Sequence, residues 1–152
     1  MSEHHQNINI KNKKASHDYE FLEKFISGIQ LTGTEIKSIK AGKASLVDSY
    51  CYFNNHELFL KGMHVSEYWW GNLNNHDPKR DRKLLLNKKE LVKLERRAQE
   101  KGLTMVAIRL FVTERGLAKL EIALSRGKQN FDKREDLKKR DAKREMDRAR
   151  KV

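Results

Sequence analysis

Six histidines and one cysteine are the side chains of this chain best suited to metal binding, proton transfer or nucleophilic attack. His4, His5, His17, His56, His64 and His76 are scattered, with no HExxH pair or other ligand spacing, so no metal site is expected from them. Cys51 sits between Tyr50 and Tyr52 in a strand-like run, where a buried, inert thiol is expected. A single cysteine excludes an internal disulfide and a cysteine-based zinc cluster, and it fits a reducing compartment. There is no GxxxxGK[ST], no GxGxxG after a strand and no GxSxG, and the carboxylates show no paired spacing. No catalytic residue, metal, cofactor or small-molecule substrate is expected.

Anion binding is the chemistry the remaining residues can do. The 152 residues hold 33 Lys and Arg against 21 Asp and Glu, for a net charge of +12 and a pI near 9.8. That balance favours nucleic acid or another polyanion as partner. Residues 79–101 carry +6, residues 126–152 carry the other +6, and the rest is neutral. In the first block, Lys79, Arg80, Arg82 and Lys83 precede a helix whose free N–H groups add a second anion-binding element. A solvated basic loop is the competing reading. Asn12-Lys13-Lys14 is a weaker basic element, and Tyr68-Trp69-Trp70 offers either base-stacking surface or core and rim packing, the latter favoured.

The second block is the C-terminal tail, RGKQNFDKREDLKKRDAKREMDRARKV, whose apolar residues are too sparse for a core. Burial there does not offset ordering entropy, so coil is expected when it is free. Yet the segment lacks proline. Glu135–Lys139 and Asp136–Arg140 are acid-before-base pairs at i, i+4, and Arg140, Arg144 and Arg148 would form one stripe. A tail that becomes helical against a polyanion and a solvated basic tail both fit.

Short strands must position these groups. Residues 1–11 are polar and expected to be loose. Alternation marks a strand from Tyr19 to Leu31, with Gly28 as a bend or bulge. A short helix follows, with Thr34 as its cap, Ile36 and Ile39 on one face and Gly42 closing it. Tyr50–Phe53 and Glu57–Leu60 flank the turn Asn54-Asn55-His56. Met63–Trp69 is a further strand candidate, and Leu84-Leu85-Leu86 reads as a buried strand. Asn87 caps a helix from Lys88 to Lys101 that Gly102 ends. Alternating Val106, Ile108, Leu110 and Val112, then Leu120, Ile122 and Leu124, form a hairpin around Glu114-Arg115-Gly116. The expectation is a mainly β chain: an oligonucleotide-binding-like β-barrel with one short and one longer helix. The N-terminus has no apolar core of a signal peptide and no run is long enough to span a bilayer, so a cytoplasmic protein without membrane contact is expected.

Five segments in order, NKKASHDY (12–19), GTEIKSIKAGKASLVDSY (33–50), DPKRDRKLLLNKKEL (77–91), the late hairpin and RGKQNFDKRED (126–136), resemble the SmpB family of SsrA-binding proteins. The resemblance implies an oligonucleotide-binding-type barrel over 12–125 that grips the tRNA-like domain of transfer-messenger RNA. It implies a tail over 126–152 that folds as a helix in the small ribosomal subunit. Protein and RNA together would imitate a tRNA, the protein replacing the anticodon arm. Elongation factor Tu would deliver them to stalled ribosomes for trans-translation, with no catalysis by the protein. By position, the RNA-facing set becomes Asn12, Lys13, Lys14, Glu35, Lys37, Lys79, Arg80, Arg82, Lys83, Leu85 and Asn87. The tail set becomes Gly127, Lys128, Phe131, Asp132, Lys133 and Arg134, with Lys138, Lys139, Arg140, Arg144 and Arg148 continuing the stripe. Phe131 stands where many relatives carry histidine, and Ile26 where some carry an acid. A basic structural protein of the ribosome or its assembly is the competing class; it would lack affinity for free RNA.

Overall fold

In the computed structural model, which describes residues 8–68, 75–128, 138 and 140–144, strand pairings close into a ring. The elements are β1 (Asn9–Lys11), α1 (Lys13–Asp18), β2 (Tyr19–Ile29), α2 (Gly33–Lys40), β3 (Ala44–Ser45), β4 (Tyr50–Asn54), β5 (Glu57–Lys61), β6 (His64–Val65), β7 (Arg82–Leu85), α3 (Lys88–Ala98), β8 (Leu103–Val112) and β9 (Ala118–Gly127). One sheet runs β1-β8-β4-β5-β7-β2-β9, and β8 also pairs with β9. The circuit β8-β4-β5-β7-β2-β9-β8 leaves few free edges, as in a barrel. β3 and β6 form a separate two-stranded sheet.

Period-two alternation fills the interior. Phe25, Leu58, Leu60, Leu84, Leu110, Leu120, Ile122 and Leu124 join one buried cluster, and each such side chain contributes roughly 1.5–3 kcal/mol. The β4–β5 turn takes the left-handed backbone expected of it, with φ of 50° at Asn55 and 66° at His56. Burial raises the Cys51 thiol to about 12, which leaves it inert.

Several expectations need correction. Residues 9–11 are not loose: Ile10 pairs with Leu110, and Ile8 and Ile10 pack on the core. Asn12 caps α1, a six-residue helix the sequence reading lacks. In β2 the irregularity lies between Phe21 and Glu23, not at Gly28. Gly28 instead admits Leu85, whose Cβ would lie 3.3 Å from an added Cβ. Thr32, not Thr34, caps α2, through a capping box with Glu35. Of Met63–Trp69 only His64–Val65 is strand, with Trp69 outside the described residues. α3 ends at Ala98, ahead of the turn that leads to Gly102 at φ +82°. In β8 a register shift between Ala107 and Arg109 leaves Ile108 unpaired, so Met105, Ala107 and Leu110 face the core. Lys138 and residues 140–144 take helical backbone and are exposed; the other residues beyond Lys128 lie outside the described residues. Unbranched Lys and Arg with Ala142 favour helix there.

Candidate nucleic-acid interface

The basic segment 77–83 is anchored from inside by a carboxylate. The capping box at the start of α2 turns Glu35 inward, where it is completely buried. Its Oε1 accepts from Thr32 N at 2.9 Å and from Arg80 Nη2 at 2.6 Å. Its Oε2 accepts from Nε of Arg82, itself wholly buried. Arg82 donates further to Met63 O at 2.8 Å and Pro78 O at 3.2 Å. Burial pushes the Glu35 carboxyl up, but Arg80, the Thr32 amide and Arg82 outweigh it and hold the group below its ordinary value. Burial likewise lowers the Arg82 guanidinium, opposed by Glu35. A carboxylate between two guanidiniums satisfies an ion that alone would be too costly to bury.

This network holds Arg80, whose side chain is 38% exposed, at the surface. Arg80 also donates to Gln30 O at 3.3 Å, tying the loop to the end of β2. Lys79 beside it is exposed, its amide held by Asp77 Oδ1 at 3.0 Å. His76, unflagged by the sequence reading, is buried, with Nε2 donating to Val65 O at 2.9 Å and Nδ1 hydrogen-bonded to the Thr34 hydroxyl at 2.9 Å. It fixes the entry of the basic segment to α2. Exposed Lys37 lies 5.4 Å above the Tyr68 ring.

The RNA-facing set therefore divides. Glu35, Arg82 and Asn12 are buried and present no surface. Asn12 donates to Leu46 O at 3.2 Å and Ala107 O at 3.0 Å while accepting from Ala15 N at 3.2 Å, which makes it a staple between α1 and β8. Asn87 accepts from Glu90 N at 2.9 Å as the cap of α3. Lys13, Lys14, Lys37 and Lys79 are exposed, Lys14 in an ion pair of 2.8 Å with Asp48. Lys83 is half-buried and lies 3.3 Å from Glu57. Leu84 is buried as expected of that strand, but Leu85 points outward, 45% exposed, because neighbours on a strand face opposite sides. The capping box Thr32-x-x-Glu35 was the signal in the sequence that this acid turns inward.

In the tail set, Gly127 ends β9 and Lys128 folds back: its amide donates to Asp18 O at 2.9 Å and its ammonium to Ser16 O at 3.0 Å. Lys138, Arg140 and Arg144 are exposed on helical backbone; Phe131, Asp132, Lys133, Arg134, Lys139 and Arg148 lie outside the described residues. Among the described residues there is no group of three or more His, Cys, Asp or Glu arranged for a metal, and no helix long and apolar enough to cross a membrane.

The family described as "SmpB protein" matches residues 9–152. The SsrA-binding protein of Phocaeicola vulgatus is 62% identical, covering 93% of this chain and 94% of that relative. Its counterpart in Bacteroides thetaiotaomicron is 57% identical over 91% and 93% of the two chains. Among solved structures, a chain of one described as "tmRNA-SmpB: a journey to the center of the bacterial ribosome" is 41% identical, with a TM-score of 0.68, covering 86% of this chain and 94% of that one. A match along nearly the whole length, in sequence and in fold, places this chain in the SmpB family.

Proposed function

We propose that this protein is a cytoplasmic RNA-binding adaptor of ribosome rescue. Its barrel binds the tRNA-like domain of transfer-messenger RNA, and its tail engages the small ribosomal subunit. Aminoacylated transfer-messenger RNA links it indirectly to elongation factor Tu. The protein contributes shape and charge, not catalysis. The observation that carries the reading is the 41% identity, at matching fold, to a chain named with transfer-messenger RNA and the ribosome. The geometry agrees with it: Lys13, Lys37, Lys79 and Arg80 are cations open to solvent, on elements that buried polar groups hold in place. In this reading Glu35, Arg82, Asn12 and Asn87 serve RNA binding as supports, and Leu85 supplies an apolar contact between the basic groups. The tail residues Lys133, Arg134, Lys138, Lys139, Arg140, Arg144 and Arg148 meet ribosomal phosphates, with Gly127, Phe131 and Asp132 at the tail's root.

Titrating transfer-messenger RNA at several salt concentrations tests the reading. Wild-type protein binds tightly, and the logarithm of its affinity falls linearly with that of salt. Lys79→Gln with Arg80→Gln weakens binding and lowers that slope by about 0.7–0.9 for each phosphate left without its cation. Binding no tighter than to an unrelated RNA of equal length would contradict it.

A further inference from the structure

Lys128 satisfies backbone carbonyls that a helix end leaves open. The last carbonyls of α1 have no partner within the helix. Ala15 O is taken by the Tyr19 amide. Ser16 O accepts from the Lys128 ammonium at 3.0 Å and Asp18 O from the Lys128 amide at 2.9 Å, across 112 residues of chain for the first bond. A cation at this end also suits the helix dipole. At its other end α1 is fixed by Asn12, which is bonded to Leu46 and Ala107. The same short helix carries the exposed cations Lys13 and Lys14. Both ends of α1 are thus tied, one to the barrel and one to the residue where the tail starts.

We propose that Lys128 is a positioning residue rather than a ribosome contact: by clamping the end of α1 it fixes the root of the tail relative to Lys13 and Lys14. RNA held at that helix and the tail then move as one body, so that binding the RNA aims the tail. The proposal rests on the functional reading above and adds to it a coupling between the two contacts.

The test uses the full chain. Lys128→Met removes the ammonium and Lys128→Arg keeps a donor. A third protein carries Asp18→Cys and Lys128→Cys. The Lys128 amide donates to Asp18 O at 2.9 Å beside the Tyr19–Gly127 pair, which brings the two backbones close enough for a short thioether bridge. Cys51 is buried and stays out of the chemistry. Lys128→Met is expected to bind transfer-messenger RNA within about twofold of wild type, to exchange the Tyr19 amide several-fold faster, and to tag nascent chains on stalled ribosomes about tenfold more slowly. Lys128→Arg retains activity, and a non-reducible methylene bridge restores it to the double-cysteine protein. Three functional results would overturn the proposal, beside the exchange result given last. One is tagging by Lys128→Met at the wild-type rate, and another is RNA binding reduced as much as tagging. The third is a bridged protein as inactive as the unbridged one, which would return the ammonium to direct ribosome contact. Amide exchange reads the clamp without RNA: an unchanged Tyr19 rate sinks the clamp, whereas wild-type protein that neither binds the RNA nor tags sinks the functional reading beneath it.

Discussion

Replacing Glu35 with alanine leaves the wholly buried Arg82 guanidinium with two carbonyl partners and no carboxylate bonded to it. Removing one member of a buried pair costs about 3–5 kcal/mol, most of it the uncompensated charge left behind. For a chain of this size each kcal/mol lowers the melting temperature by roughly 2–4 °C, so the variant should melt about 6–20 °C below wild type. Urea unfolding gives the free energy directly. Changing both partners together, Glu35→Leu with Arg82→Met, removes the orphaned charge and should recover much of the loss. RNA affinity, measured well below the variant's melting point, should weaken only insofar as Arg80 loses its anchor. A Glu35→Ala protein as stable as wild type within about 1 kcal/mol, yet unable to bind RNA, would refute this reasoning. It would mean that the carboxylate meets the ligand and not the fold.

The same buried group gives a pH dependence. Its pKa is depressed in the folded state, so its stabilisation is present above the ordinary value of 4.5 and is lost as pH falls through the lower folded value. Urea midpoints measured from pH 6 to pH 3 should fall more gently for Glu35→Gln than for wild type. Asn12→Ala removes two buried side-chain donations, to Leu46 O and Ala107 O, together with the cap of α1, and should cost about 2–4 kcal/mol in urea unfolding. Asn87→Ala should cost about 1 kcal/mol and Asn87→Ser almost none, with both retaining RNA affinity if the residue serves α3 alone.

Alternation and turn chemistry made the ring of strands legible. Leu120, Ile122 and Leu124 face inward as their spacing predicts, and Asn55-His56 turns where its residues tolerate positive φ. What stayed hidden depends on contacts distant in sequence. Ile108 breaks the alternation of β8 because a bulge against β9 shifts the register, which no local pattern announces. β1 is only three residues long and takes its order from β8. Glu35 and Arg82 read as surface charges in a basic sequence, and only the fold places them against each other. Lys128 belongs to the tail by composition, but its bonds are made to α1. Charge along the chain marks two basic blocks, while the division between cations that face solvent and those that hold the structure comes from burial.

The division of labour between barrel and tail is tested most directly with a chain ending at Lys128, which keeps β9 and the clamp on α1 intact. Its affinity for transfer-messenger RNA and its support of tagging on stalled ribosomes would be measured beside the full chain at two salt concentrations. The account predicts salt-sensitive RNA binding close to that of the full chain, together with lost tagging. Loss of RNA binding on truncation would contradict it, making the tail a general polyanion anchor and leaving the barrel without its assigned ligand.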